Sequence, residues 1–243
     1  MLRTNNGELT SNHKLVSNII ATSFASISST ENYSVQFQQH KIRQEKDAIN
    51  FKTKEHHDYN IPISIEELTS AIQHTKESSP GIDKITFLMI KNIHDSLKQT
   101  LLNLYNKIFL KCDFPPRWRL AIVIPIQKPN KDSTDPNNYR PISLTNCMCK
   151  IIERIINNRL VSYLESRNLF SPYQSGFRHN RSTTDNLMIL DSAIHSAIEK
   201  KQHSIAIFFD LTITYDTAWK HNILKKTSHL WNCLLYTSDA ADE

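Results

Sequence analysis

The sequence predicts an α+β fold with a mostly helical N-terminal part. Three observations carry that expectation. Apolar residues recur at helical spacing in several separate stretches, and two short β-branched runs, LAIVIPI (residues 120–126) and SIAIFFDL (204–211), have strand length. These elements alternate along the chain without an internal repeat. With 243 residues, 39% of them hydrophobic, the chain is long enough to bury a sizeable core, so one domain, or one plus a short appendage, is expected.

Residues 1 to about 60 are rich in Ser, Asn, Gln and His and hold one weakly amphipathic stretch, LVSNIIATSFASI, which suggests a helix followed by a loose linker. Ser64 and Glu67 have capping-box spacing ahead of Leu68, Ala71 and Ile72, so a short helix starts there. SSPGIDKIT supplies the turn that ends it. From Ile90 to Leu110 the positions Ile93, Leu97, Leu101, Leu104, Tyr105 and Ile108 keep helical spacing, and Pro115 and Pro116 close the segment. LAIVIPI follows as a buried strand, then the polar turn KPNKDSTDPNN leads into YRPISL. Two further helices are expected, Lys150 to Leu164 and Thr183 to Lys200, before SIAIFFDL forms a second buried strand. The domain organisation expected is a helical and linker region over 1–60, one domain over 61–232, and a separate tail over 233–243.

Charge is uneven. The formal net charge is +5, yet between Arg117 and Arg181 eleven Lys and Arg face only four acids, a local excess of +7. An anionic partner is the simplest functional reading, and a solvated basic face is the bland one. Only three glycines occur, which argues against a Gly-rich phosphate loop, so bound phosphates would be held by side chains. Cys112, Cys147, Cys149 and Cys233 fit neither a disulfide framework nor a zinc spacing, which suggests a reduced protein. No apolar signal core opens the chain and no run is long enough to span a bilayer. An intracellular protein, nuclear or cytoplasmic and not membrane-bound, is therefore expected.

Asp210 closes the apolar run IAIFF, and a carboxylate at the exit of a core needs a cation or a hydrogen-bond donor. A metal would satisfy it, as would helix capping or a core-edge ion pair. Tyr215 is either a functional ring or a core aromatic. Lys128 and Arg140 flank the polar turn, so a hairpin would bring both cations to one end. Arg suits phosphate recognition through its planar fork, Lys through its point charge.

The run WRLAIVIPIQKPNKDSTDPNNYRPISLTNCMCKIIERIINNRL, then SPYQSGFRHNRSTTDNL, then IAIFFDLTITYDTAWKHNILKK, resembles the successive fingers and palm motifs of reverse transcriptases from jockey-like, non-LTR retrotransposons. SSPGIDKIT is similar to the segment that opens their polymerase domain. The likeness covers roughly Ile61 to Lys226, with a fainter one before it to the region joining endonuclease and polymerase. It implies right-hand polymerase fingers and a partial palm, acting on an RNA template, a DNA primer and deoxynucleoside triphosphates with two Mg2+ ions. Carried over by residue, Asp210 would be a catalytic metal-binding carboxylate and the Leu211 carbonyl a further metal ligand. Lys128, Arg140 and Tyr215 would hold the nucleotide, Tyr215 by excluding a ribose 2′-hydroxyl. Gln174, Gly176, Phe177, Arg178 and Arg181 would meet the nucleic acid. In that loop Gly176 is expected to supply an unusual backbone angle and Phe177 to anchor it. Asp185 is expected to be a first-turn helix acid, and Arg154 and Arg159 are candidate RNA contacts on an otherwise structural helix.

The chain departs from the family pattern in two ways. Ile213 and Thr214 stand where the family usually has Lys and Ala. No Asp-Asp pair occurs anywhere in the sequence, whereas two-metal catalysis shares its ions among several carboxylates. CLLYTSDAADE (233–243) resembles the translation of a sequencing-library adaptor and is set aside from the fold. The resemblance thus implies a truncated polymerase, inactive alone; the alternative readings are a non-catalytic RNA- or DNA-binding remnant and a nonfunctional open reading frame.

The basic stretch is expected to bind RNA or template-primer duplex weakly and without sequence preference, because it offers phosphate contacts with little base readout. A titration from about 50 to 200 mM salt measures this through the fall in affinity that counterion release causes. An affinity that stays flat across that range would refute it.

Overall fold

The computed structural model describes residues 1–4, 6–49, 57–211 and 217–230. The chain is mixed helix and sheet, compatible with the α+β expectation. It divides into two units, one comprising Met1–Arg159 with Tyr215–Glu243 and the other Leu160–Thr214.

The first unit begins with two short strands, β1 (Leu2–Arg3) and β2 (Leu9–Thr10), paired antiparallel. Helix α1 (His13–Ile27) covers the expected amphipathic stretch and is capped by Asn12, whose side chain accepts from the N–H groups of Lys14 and Leu15. As far as residue 49, the described part of the segment after it holds a second helix. Helix α2 (Val35–Gln44) starts at Ser34, which accepts from Phe37 N–H. Tyr33 and Phe37, one turn apart, pack with their rings tilted at 49° and centroids 4.9 Å apart, and the Lys41 ammonium, a further turn on, lies over the Tyr33 ring. Such contacts between residues a turn apart stabilise a polar helix that sequence periodicity does not single out.

Helix α3 (Ile65–Gln73) has the capping box expected of Ser64 and Glu67, with both reciprocal bonds present. The single helix expected from Ile90 is instead two, α4 (Phe87–Lys91) and α5 (Asp95–Lys111). The break falls at His94, whose ring nitrogen accepts from Ser96 N–H and caps α5, while Thr86 caps α4. Helix α5 ends at Cys112, which takes the left-handed conformation at φ 54°.

Two strands follow, β3 (Ile122–Gln127) and β4 (Tyr139–Leu144), in an antiparallel ladder running from Ile122 opposite Leu144 to Gln127 opposite Tyr139. The expectation of a buried strand here is overturned: Ile122, Val123, Ile124 and Ile126 are all exposed. The ladder has only two strands, and among the described residues no third layer covers its faces. Pro125 and Pro141 stand directly opposite each other. The alternation of the ladder makes theirs a non-hydrogen-bonded pair, because Lys128 N–H bonds Asn138 O three residues along. Neither proline therefore costs the ladder a bond.

Helix α6 (Cys147–Ser166) belongs to the first unit as far as Arg159. The core lies where α3, α5 and the first half of α6 bury Leu68, Ala71 and Ile72, then Leu101, Tyr105, Ile108 and Phe109, then Ile151, Ile152, Ile155 and Ile156. Each Leu, Ile or Phe side chain among them contributes about 1.5–3 kcal/mol. The Tyr105 hydroxyl donates to Met148 O at 2.7 Å, so this buried ring is satisfied at its polar end. Gly81 packs against Asn146 just before α6: a Cβ there would lie 2.8 Å from the Asn146 nitrogen and closer still to its side-chain oxygen. Only glycine allows the SSPGID turn to approach the helix this closely. Cys112, Cys147 and Cys149 are free thiols, and Cys233 lies outside the described residues.

Arg159 organises this unit. Its guanidinium pairs side-on with Glu67 at 2.6 and 2.7 Å, donates to the carbonyls of Tyr59, Ile61 and Pro62, and lies over the Phe109 ring. Its role as an RNA contact is therefore corrected, because these donors are engaged inside the protein and the side chain is only 9% exposed. Helix α8 (Lys220–Leu230) also belongs here, tied to α2 by Trp219 Nε1 donating to Glu45 at 2.8 Å and by the edge-to-face packing of Phe37 on Trp219.

The second unit contains the end of α6, a loop, and helix α7 (Thr183–Glu199). Asp185 accepts from Ser182 N–H in a capping box, and that bond chiefly holds its carboxyl below the usual range, as expected of a first-turn acid. The second expected strand does not form: residues 204–211 have no strand pairing, and Phe208 and Phe209 are 83% and 88% exposed. A β-branched run requires a neighbouring strand, and none among the described residues pairs with it. No helix among the described residues is long and apolar enough to cross a membrane.

Burial pushes the Glu67 carboxyl up, but the hydrogen bond from Arg159, that from Ser64 N–H and the Arg159 charge outweigh it and hold the group below the usual carboxylate range. A carboxyl depressed in the folded state adds stability above its unfolded pKa and loses it as pH falls through the folded value. Urea unfolding below about pH 4.5 is expected to show this loss, with Glu67→Gln flattening the slope. Arg159→Ala is expected to cost about 3 kcal/mol at neutral pH. A midpoint unchanged by either substitution would show that this pair is not structural.

Candidate functional site

The candidate residues fall into three local groups. The first is the end of the β3–β4 hairpin. Residues directly opposite in an antiparallel ladder share a face, as do residues two apart in one strand. Arg140 stands opposite Ile126, so Arg140 and Lys128 share one face at the turn end of the ladder, as the sequence leads one to expect. Arg140 is exposed. Lys128 is half-buried and its ammonium donates to Asn137 O at 2.9 Å. An ammonium has three donors, so this bond fixes its place and leaves capacity for an anion.

The turn between them is knit by its own polar groups. Asp132 accepts from the Thr134 N–H and hydroxyl, and these bonds, the backbone one first, hold its carboxyl below the usual range. Asp135 accepts from Asn137 N–H, Asn138 donates to Asp132 O, and the Tyr139 hydroxyl donates to Ser133 O. The sequence gives no sign that Asn137 holds Lys128, because the contact runs through a main-chain carbonyl that any residue has.

The second group is the loop after α6. Arg178 pairs side-on with Glu165 at 2.6 and 2.9 Å, donates to Ser171 O at 3.0 Å and lies over the Phe170 ring. Its positive charge is largely answered by Glu165, whose carboxyl is held low first by the Arg178 hydrogen bond. Gln174 donates to Gly176 O, and Ser175, buried, donates to the Asn186 side chain. Two expectations fail here. Gly176 has no positive φ, while Phe177 takes one, at 59°, and its ring is 94% exposed rather than an anchor. The loop is anchored instead by Arg178, Glu165 and Ser175. Glu165 and Ser175 carry no local signal, since their partners lie thirteen and eleven residues away. Arg181 is exposed.

The third group is Asp210 with Leu211, both exposed at the end of the apolar run. Tyr215, Ile213 and Thr214 lie outside the described residues. A carboxylate and a backbone carbonyl are hard oxygen donors of the kind magnesium takes. They are too few to share a pair of ions, and among the described residues no three His, Cys, Asp or Glu side chains come together as a metal site.

Arg181→Ala is expected to lower the slope of log affinity against log salt by about one, as loss of one phosphate contact does. Arg178→Ala is expected to leave that slope near wild type and to speed proteolysis between residues 171 and 178, because its charge is already paired. Equal changes of slope in the two variants would contradict this division.

The family model for reverse transcriptase (RNA-dependent DNA polymerase) matches residues 126–234, which include all three groups. The chain is 32% identical over 176 residues to a probable RNA-directed DNA polymerase from transposon BS of Drosophila melanogaster, covering 72% of this chain and 19% of that protein. It is 30% identical over 175 residues to the RNA-directed DNA polymerase from mobile element jockey of the same species, again 72% and 19%. The jockey polymerase of Drosophila funebris is 29% identical over 176 residues, with the same shares. The chain thus spans about a fifth of the length of these curated relatives. The family match and the likeness to polymerases of mobile elements over 72% of the chain place it: the chain belongs to the reverse transcriptase family, with the RNA-directed DNA polymerases of non-LTR retrotransposons.

Proposed function

We propose that this chain supplies the fingers and the start of the palm of a polymerase that copies RNA into DNA, and that alone it does not extend a primer. The fingers and partial palm occupy 61–232, preceded by the region joining endonuclease and polymerase over 1–60, with 233–243 a foreign tail. The observation that carries the reading is the β3–β4 register, which sets Lys128 and Arg140 on one face at one hairpin end within the family-matched segment. There they would hold the triphosphate of an incoming deoxynucleotide, Arg140 through its planar fork and Lys128 through the ammonium that Asn137 steadies. Tyr215 would exclude a ribose by volume.

Gln174, Gly176, Phe177, Arg178 and Arg181 would face the RNA template and DNA primer. The exposed Phe177 ring suits stacking on a base, and Arg181 suits a phosphate; Arg178 would serve by holding the loop. Asp210 and the Leu211 carbonyl would contribute to a magnesium site in the intact parent, working in the nucleus or cytoplasm. The residues present do not fit a pair of magnesium ions by themselves. Nucleotidyl transfer by two metals needs further carboxylates to hold ions about 4 Å apart.

Primer extension with magnesium tests the reading. The chain alone is expected to add no deoxynucleotide, while a chimera carrying a family palm hairpin and thumb after Asn232 is expected to extend. In the chimera Asp210→Asn should reduce extension by about 100-fold or more and leave duplex binding nearly intact. Tyr215→Ala should retain extension and admit ribonucleotides. Extension by the unmodified chain, or full activity in Asp210→Asn, would overturn the assignment.

A further inference from the structure

The turn that carries Lys128 is held from outside by the N-terminal segment. Arg3 N–H donates to Thr134 O at 2.8 Å. Its strand β1 is fixed by pairing with β2 and by Leu2, only 2% exposed. Helix α1 lies against residues 136–138, where Ser23 Oγ donates to the Asn137 side-chain oxygen at 3.2 Å. Asn137 is held on every side: its N–H and its side-chain amide both donate to Asp135, at 2.9 and 3.0 Å, and its carbonyl accepts the Lys128 ammonium. A short line of hydrogen bonds therefore runs from α1 through one asparagine to the cation.

We propose that the N-terminal strand pair and α1 form a brace that sets the position of the Lys128 ammonium, with Ser23 and the Arg3 main chain acting as positioning groups through Asn137 and Thr134. Lysine has a long side chain whose rotamer freedom opposes binding, and an ammonium already tied to a fixed carbonyl loses less of it when an anion arrives. The turn itself is polar and exposed, and its internal bonds join only residues 127–139 to one another. The brace is what ties it to the remainder of the unit on its Asn137 side. Its consequence for anion binding rests on the triphosphate reading above; the brace itself rests on these contacts.

The test uses the whole 243-residue chain, with hydrogen exchange of the amides of residues 128–138 and equilibrium binding of inorganic tripolyphosphate as readouts. Ser23→Ala is expected to speed exchange in that turn about tenfold and leave α3, α5 and α6 unchanged, as a local opening does. It should also weaken tripolyphosphate about threefold, the effect of one net hydrogen bond. Ser23→Thr, which keeps the hydroxyl, should restore both. Lys128→Ala combined with Ser23→Ala should bind no more weakly than Lys128→Ala alone, because the two act through one contact. Unchanged exchange in Ser23→Ala, loss of protection throughout α5 and α6, failure of threonine to restore, or additive effects on binding would each overturn the brace. If wild type fails to bind tripolyphosphate, the triphosphate reading falls, and exchange alone decides the brace.

Discussion

The first unit depends on one guanidinium. Arg159 joins α6 to two pieces of chain remote from it in sequence: the stretch 59–67, through the carbonyls of residues 59, 61 and 62 and the Glu67 carboxylate, and α5, through the Phe109 ring beneath it. Glu67 is at the same time half of the capping box that starts α3. One ion pair thus fixes where α3 begins, how the chain enters it, and which face α6 turns toward α5. Arginine alone among the cations can do this, because its planar fork reaches a carboxylate side-on while its remaining donors reach carbonyls. A nearby clamp works the same way with neutral groups, as Asn106 gives to Ile63 O and accepts from Ile63 N–H.

This use of charge changes the meaning of the basic stretch. Eleven cations against four acids measure composition, whereas the field a ligand meets depends on which cations are already paired. Arg159 and Arg178 are held in side-on carboxylate pairs. Lys150 lies over the Phe87 ring, and Arg167 over Tyr163. Arg140 and Arg181 stand exposed at the hairpin end and in the loop. The structural arginines and the candidate binding arginines occur in the same stretch, and nothing in their residue type separates them.

Burial divides the apolar residues in a similar way. The helices α3, α5 and α6 cover one another, and their apolar stripes vanish into a core. The hairpin and residues 204–211 are as apolar in sequence yet lie open, because a strand is stabilised by partners on both edges and by a layer on its face. The hairpin has one partner strand; the later run has none among the described residues. Composition encodes the capacity to pair, and the presence of the pairing surface is a separate matter.

Much was legible locally. The capping box at Ser64, the first-turn acid Asp185, the helices α1, α3, α6 and α7, the end of α5 before its prolines, and the hairpin that unites Lys128 with Arg140 all follow from patterns local in the sequence. The break at His94, the helix α2 and the positive φ of Phe177 were not, because each turns on a cap, a ring contact or a loop closure that periodicity does not register. The motifs themselves, read in order, identified the family, since an ordered set of side chains is a property of sequence alone. What only the tertiary structure decided is the employment of identical residue types: Arg159 and Arg178 inward, Arg140 and Arg181 outward, and Asn137 as the support of Lys128. The physical reason is that a charge or amide finds its partner in space, across tens of residues, and the sequence records the donor and the acceptor without the distance between them.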